Sequence, residues 1–153
     1  MTPEQRLEQL GLVLPKPPVP IATYVPWRFA GPLLYLSGQG PKLPDGSYSA
    51  GRLGLTTDVA KGYADARATG FQLLATAKAA LGELSRIEAV VKLLGMVNAE
   101  PDFFDHPKVI NGCSDLFVEI LGEAGKHARS AIGVGSLPNG MTVEIEAIFL
   151  IRT

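Results

Sequence analysis

The chain has 153 residues, of which 46% are hydrophobic, and this composition excludes a disordered protein and suits one domain with a substantial core. Its formal net charge is −1 with scattered basic residues, whereas a nucleic-acid-binding protein is expected to carry a basic patch. The sequence contains no run of about 18 uncharged apolar residues and no basic N-terminal segment followed by an apolar one. We therefore expect a soluble, cytoplasmic protein with no membrane or nucleic-acid partner.

The first twenty residues predict a short helix followed by an extended connector. Thr2 is a candidate N-cap, Pro3 suits the first helical position, and Gln5 completes a capping box. Four prolines between positions 15 and 20 then disfavour regular structure. We interpret residues 1–20 as an N-terminal extension and residues 21–153 as the single main domain.

Two strand candidates come next, at residues 24–29 and 33–37. The Ala-Gly-Pro segment at 30–32 separates them and predicts a hairpin. Residues 38–57 follow as a long loop rich in glycine and proline. Loops of this length inside a compact domain are usually either functional or mobile.

Two helices and a strand make up the middle of the chain. Apolar residues recur at steps of three and four over residues 58–81, which predicts a long helix whose apolar stripe includes Gly70 and allows close approach of another backbone there. Residues 87–97 are apolar on both alternating faces, as in a central strand that is covered on both sides. Residues 108–121 predict a second helix, and the residues expected to face inward are Val109, Cys113, Leu116 and Ile120.

The last part of the chain, residues 129–152, predicts a hairpin of two strands. Asn139 and Gly140 follow Pro138, and both tolerate the positive φ that two-residue hairpin turns require. Beyond this turn, apolar and polar residues alternate, which is typical of a strand with one buried face.

The predicted turn also sets a register. In that register Arg129 faces Ile148, Ala131 faces Glu146 and Gly133 faces Glu144. One face of the hairpin would then hold a cation, two carboxylates and small residues, which suits a small anionic substrate. A slip of one residue would move one strand's set to the opposite face, so the interpretation depends on the turn.

The predicted order is strand, strand, helix, strand, helix, strand, strand. Two helices cover one face of a mixed sheet, so the expected fold is a two-layer α/β sandwich. The other face retains the apolar side chains of Ile148 and Leu150. Because large exposed apolar patches mark interfaces, we expect a homo-oligomer in which these open faces turn inward.

Several motifs in this order are similar to those of one family. Arg129-Ser130, Leu137-Pro138 and the Val-Glu-Ile-Glu-Ala-Ile segment at 143–148 together resemble the C-terminal signature of the RidA/YjgF family of imine deaminases, also labelled the endoribonuclease L-PSP family. The Ser-Gly-Gln segment at 37–39, Tyr24, and Val-Ile-Asn at 109–111 resemble its other motifs. The likeness covers residues 21–153.

The resemblance implies a chorismate-mutase-like homotrimer with an inner barrel and three sites between subunits. It also implies hydrolysis of enamine or imine intermediates such as 2-aminoacrylate to 2-keto acids and ammonia, without a cofactor or metal. Arg129 is implied to hold the substrate carboxylate and Glu144 to position or activate the attacking water. The residues implied to line the pocket are Tyr24, Ser37 and Asn111, with backbone contacts from Gly38 and Ala131.

The chain also departs from the family motifs. Ala131 and Gly133 stand where Cys and Glu are usual, and Ser114 stands where an aromatic residue is usual. These differences indicate a divergent subgroup and keep a second hypothesis open, a non-catalytic trimer that binds or senses a small carboxylic acid metabolite.

A third hypothesis, an endoribonuclease, fits the slightly acidic composition poorly. His106 and His127 have no further metal ligand at a recognisable spacing, which favours surface or loop histidines. Cys113 on an apolar helix stripe is expected to be an inert core residue.

Overall fold

The computed structural model describes residues 1–19 and 22–153, and its eight main elements form two layers. The elements are α1 (Pro3–Gln9), β1 (Trp27–Ala30), β2 (Leu33–Gln39), α2 (Val59–Leu81), β3 (Ile87–Asn98), α3 (His106–Leu121), β4 (Ala128–Val134) and β5 (Val143–Ile151). Their order confirms the predicted sequence of strands and long helices. The five strands form one mixed sheet in the order β1-β2-β5-β3-β4. Among the described residues, no helix is long and apolar enough to cross a lipid bilayer.

The N-terminal helix α1 begins with the predicted capping box. The Thr2 hydroxyl accepts a hydrogen bond from the Gln5 backbone N–H at 3.1 Å, and the Thr2 N–H donates to Gln5 Oε1 at 2.8 Å. Leu7 is buried in the main core, so the helix packs on the domain. The following residues 12–19 form no helix or strand, as expected, whereas the expected boundary at Pro20 and Ile21 lies outside the described residues.

The first hairpin is confirmed, with β1 and β2 antiparallel around residues 31–32. Strand β1 begins at Trp27, later than predicted, because Pro26 has no N–H to contribute to a ladder. Tyr24 therefore lies in a bend before the strand and not in the sheet.

The long helices α2 and α3 occupy the predicted positions. Asp58 caps α2 by accepting a hydrogen bond from the Lys61 backbone N–H at 2.8 Å. The helices approach closely at two glycines, since a Cβ at Gly70 would lie 3.2 Å from Cys113 Sγ and one at Gly112 would collide with the backbone oxygen of Tyr63. The residues predicted to face inward are all buried, and they are Val109, Cys113, Leu116 and Ile120.

The long loop before α2 is anchored to the rest of the domain. Leu53 is fully buried, and its backbone N–H donates to the Asn98 carbonyl at 2.8 Å. The buried Asp65 carboxylate on α2 accepts hydrogen bonds from Ser49 Oγ at 2.8 Å and Thr142 Oγ1 at 2.7 Å. This side chain therefore ties the loop and the start of β5 to the helix layer.

The predicted C-terminal hairpin is wrong, because β3 lies between β4 and β5. Met96 on β3 pairs with Ile132 on one side and with Glu144 on the other. Asn139 does adopt a positive φ of 57° and Gly140 one of 65°, but their short 3-10 turn belongs to a connection that crosses the end of β3. Strand β3, apolar on both faces, takes an interior position between β5 and β4 and pairs with β4 in parallel.

Candidate functional site

The guanidinium of Arg129 lies on the helix side of the sheet at its β4 edge. Arg129 is in register with Leu93, which is fully buried beneath the helices. Arg129 Nη1 donates to Asn111 Oδ1 at 2.8 Å and to Ser114 Oγ at 3.1 Å, both on α3. Within the part of the chain that the structure describes, no carboxylate forms an ion pair with this guanidinium. Neutral oxygens thus orient a half-buried cation and leave its charge available to an anion.

His127 extends this network from the loop before β4, where the sequence placed it without indicating these contacts. Its Nε2 lies 2.9 Å from Ser114 Oγ, and its Nδ1 lies 2.6 Å from the Gly125 carbonyl oxygen. Burial, and to a lesser extent the Arg129 charge, lower the pKa of His127 although the Gly125 hydrogen bond opposes them. The sequence does carry one signal for this contact: His127 lies two residues before Arg129, and residues two apart on an extended chain point to the same side.

Glu144 lies on the opposite, open face of the sheet, beside Gly38. A Cβ at position 38 would be 2.9 Å from Glu144 Oε1, so glycine provides the space for the carboxylate. Tyr24, Gly38 and Glu144 line one cavity of about 210 Å³ together with parts of the N-terminal connector, the long loop and the 138–141 turn. Burial, followed by the charge of Glu146, raises the pKa of Glu144. A carboxyl group with a raised pKa is suited to proton transfer.

Ser37 and Ala131 occupy less direct positions. The Ser37 hydroxyl donates to the Val25 carbonyl at 2.6 Å, and the residue lines a neighbouring groove with Tyr24 and Glu146. Ala131 follows Arg129 on the same face and packs against the core. Ser37 therefore holds the segment that carries Tyr24, while Ala131 adds no polar side chain beside Arg129.

The predicted site residues therefore fall into two groups. The structure brings Arg129 together with Asn111, and Glu144 together with Tyr24 and Gly38. It does not bring Arg129 and Glu144 together within one chain. The prediction that they share one hairpin face is wrong, since β3 separates their strands and the register turns the two side chains to opposite faces.

Cys113 is a core residue, and the described residues contain no cluster of possible metal ligands. The Cys113 thiol is fully buried, and burial raises its pKa, as expected for an inert core residue. Among residues 1–19 and 22–153, no three His, Cys, Asp or Glu side chains are grouped so that they could hold a metal ion.

Comparison with known proteins gives consistent matches over nearly the whole chain. The family model described as "YjgF/chorismate mutase-like, putative endoribonuclease" matches residues 4–144. Protein TCP17 of Trypanosoma cruzi is 43% identical over 143 residues, which are 93% of this chain and 89% of that protein.

Two solved structures are similar in both sequence and fold. Protein Atu1372 of Agrobacterium tumefaciens, of unknown function, is 44% identical with a TM-score of 0.90, and the match covers 99% of this chain and 94% of that one. A Shewanella oneidensis protein described as a "putative endoribonuclease" is 36% identical with a TM-score of 0.94, covering 99% and 100% of the two chains. The chain therefore belongs to the YjgF/chorismate mutase-like family, whose solved structures include RidA.

Proposed function

We propose that the protein hydrolyses small enamine or imine acids of the 2-aminoacrylate type to 2-keto acids and ammonia, without a cofactor. The observation that carries the proposal is the half-buried Arg129 guanidinium, which two neutral oxygens orient and no carboxylate among the described residues neutralises. An arginine fork binds a carboxylate through two parallel hydrogen bonds, so this residue suits the acid group of the substrate.

The proposed reaction needs one acid–base group near the imine carbon. An enamine first gains a proton on carbon to become an imine; water then adds to the carbon of the C=N bond, and ammonia leaves as the carbonyl forms. Glu144, with its raised pKa, is able to accept a proton from the water and return it to the leaving nitrogen. Holding water and substrate together supplies much of the remaining rate enhancement.

We further propose that the complete site forms between subunits of a homotrimer, because Arg129 and Glu144 lie on opposite faces of one chain. The open face supports this proposal, since the side chains of Tyr35, Val91 and Ile132 are 42%, 39% and 45% exposed there. Exposed apolar surface of this kind is typical of interfaces. Escherichia coli TdcF, 25% identical to this chain with a TM-score of 0.64, has been solved with bound serine, and this supports an amino-acid-like ligand.

Replacement of Arg129 by lysine tests the function directly. Arg129→Lys keeps the charge but loses the planar fork, so we expect kcat/KM for an enzymatically generated imine to fall at least about tenfold, which corresponds to roughly 1.4 kcal/mol. Semicarbazide trapping of the imine gives the rate. Arg152→Lys, at the exposed C-terminus, is the matched control. Unchanged hydrolysis and unchanged affinity in a folded Arg129→Lys protein would disprove the proposal.

A second candidate is a non-catalytic trimer that binds a small carboxylic acid metabolite. It is favoured by Ala131 and Gly133, which place no functional side chain near Arg129 where the family motif usually has Cys and Glu. Purified protein that binds a 2-keto acid through Arg129 but does not accelerate imine loss over the semicarbazide background would support this candidate. Ribonuclease activity that survives loss of Arg129 would instead support the family's endoribonuclease label.

A further inference from the structure

Three side chains, two on separate elements and one in a loop, are joined in a continuous chain of hydrogen bonds that ends at the proposed carboxylate anchor. His127 precedes β4, Ser114 lies on α3 and Arg129 lies on β4. His127 Nε2 is 2.9 Å from Ser114 Oγ, and Ser114 Oγ is 3.1 Å from Arg129 Nη1. Among the described residues, Ser114 therefore links the imidazole to the guanidinium.

The direction of each hydrogen bond follows from the acceptor at the far end. The Gly125 carbonyl can only accept, so His127 Nδ1, at 2.6 Å from it, carries the proton. Burial lowers the pKa of the ring, which favours the neutral form, and Nε2 is then a bare acceptor. The Ser114 hydroxyl must donate to Nε2, and this directs its oxygen lone pairs to Arg129 Nη1.

Arg129 Nη1 is consequently saturated by the protein. It has two hydrogens, and one is donated to Asn111 Oδ1 at 2.8 Å while the other is donated to Ser114 Oγ. With respect to the described residues, the donors that remain for a ligand are Nε–H and the two hydrogens of Nη2. A carboxylate that accepts two hydrogen bonds from Arg129 would therefore have to bind side-on, across Nε and Nη2.

We propose that His127 is a positioning residue that acts through Ser114 to set the orientation of Arg129 for side-on binding of the substrate carboxylate. The inference rests on the proposed function of Arg129. Without the imidazole acceptor, the Ser114 hydroxyl rotates freely, so that its proton, instead of an oxygen lone pair, faces the guanidinium for part of the time. The fork then samples several orientations, and the bidentate geometry is lost for part of the time.

The charged groups around His127 leave this arrangement intact. On β4 the nearby charge is Arg129 itself, and on α3 the neighbouring Asp115 accepts a hydrogen bond from the Tyr63 hydroxyl of α2 at 2.7 Å. In the segment before β4, Lys126 pairs with Glu123 at 2.8 Å. His127 also packs edge-on against Phe117 with ring centroids 6.0 Å apart, which is the purely structural role that the test must separate.

Variants at positions 127 and 114 separate positioning from packing. His127→Phe keeps an aromatic ring against Phe117 but has no acceptor, whereas His127→Gln offers an amide N–H to Gly125 and an oxygen to Ser114. The quantities to be measured are pyruvate affinity by calorimetry, and kcat and KM for hydrolysis of an alanine-derived imine. His106→Phe serves as the control for loss of a histidine outside the network.

We expect His127→Phe and Ser114→Ala each to weaken pyruvate binding and raise KM about tenfold, with kcat changed less than about threefold. The double variant should be no weaker than either single variant, because both break the same chain of bonds. His127→Gln should recover most of the affinity lost in His127→Phe.

Two outcomes would overturn the inference alone, and a third would instead indicate failure of the proposed function. Pyruvate affinity that survives His127→Phe but not Arg129→Lys removes the role of His127 and leaves the anchor intact. Additive losses in the double variant would show that His127 does not act through Ser114. Unchanged affinity in Arg129→Lys contradicts the proposed function itself. If His127→Phe does not fold, the comparison of Ser114→Ala with His127→Gln still decides the case.

Discussion

Glu144 is a half-buried carboxyl group next to the carboxyl group of Glu146. Its burial and the charge of Glu146 shift its pKa in the same direction. Burial disfavours the charged form, and the negative charge of Glu146 adds to that effect, so the pKa is raised. The folded state therefore favours the protonated form, and the stability this contributes is lost as pH rises through the raised pKa. For catalysis the sign is opposite, since the base form needed to accept a proton disappears as pH falls through the same value.

Removal of the second carboxylate tests this account of Glu144. In Glu146→Gln the pKa of Glu144 should fall, so the acidic limb of the kcat–pH profile should move to lower pH while the alkaline limb stays in place. Glu88→Gln, an exposed position on β3, removes the same charge elsewhere and is the control. An acidic limb that does not move in Glu146→Gln would show that another group controls it.

Removal of the Glu144 carboxylate itself distinguishes chemistry from binding. Glu144→Gln keeps the shape of the side chain but is unable to act as a base, so kcat should fall more than pyruvate affinity does. Single-turnover kinetics and calorimetry on the same preparation provide the two numbers. A variant that loses affinity while retaining kcat would assign Glu144 a binding role instead.

At the scale of elements, the contact between α2 and α3 positions the part of the site that surrounds Arg129. Helix α3 carries Asn111 and Ser114, and Gly112 between them packs directly on the α2 backbone at Tyr63. The close approach fixes the distance of α3 from the layer beneath it, because a side chain at this glycine has no space. The orientation of Arg129 thus depends on a helix–helix contact as well as on its own hydrogen bonds.

Gly112→Ala should disrupt this contact and the site together. We expect the free energy of unfolding to fall by about 1–3 kcal/mol, since the added methyl group meets backbone that cannot move aside without shifting a helix. Denaturant titration with an unchanged m value measures the effect. Gly135→Ala is the matched control, because a Cβ there has no atom within 4 Å and the glycine lacks a positive φ. Equal stability of the two variants would contradict the packing argument.

At the scale of the whole molecule, the structure separates Arg129 from Glu144 within one chain, and for this reason we propose an active site shared between chains. Strand β4 is an edge of the sheet, and the open face next to it exposes Ile132 and Val91. A second copy that covers this region could bring its own catalytic half to the first. The proposed trimer repeats this contact around a closed ring, so that every copy contributes each half once.

Mixing two inactive variants tests whether the site is shared. Arg129→Ala and Glu144→Gln subunits, unfolded and refolded together in equal amounts, should regain about one quarter of wild-type activity. Random mixing gives about one interface in four an intact Arg129 from one subunit and an intact Glu144 from its neighbour. Each variant refolded alone is the control and should stay inactive. Sedimentation of the wild type should show a trimer. Failure of the mixture to regain activity, or a stable monomer at micromolar concentration, would argue against a shared site.

Much of the local structure was determined by residues that are neighbours in the chain. The capping box at Thr2 and Gln5, the start of α2 after Asp58 and the hairpin between β1 and β2 depend on contacts over a few residues. Periodicity identified the inward face of α3, and the predicted order of strands and helices indicated the two-layer α/β class. The identity of Arg129 as an anion-binding candidate also came from the sequence, and the structure supports it with neutral partners on α3.

Which strands pair was decided only by the tertiary structure. The turn at Asn139 and Gly140 has the local geometry that its residues indicate, yet local geometry does not determine whether the strands on either side meet. Strand β3 is apolar on both faces, and its insertion between β4 and β5 satisfies its hydrogen bonds on both edges. That insertion turned Arg129 and Glu144 to opposite faces. The link from His127 through Ser114 to Arg129 depends on the packing of α3 against this same edge, since residues on separate elements meet only when the whole sheet and its helices are assembled.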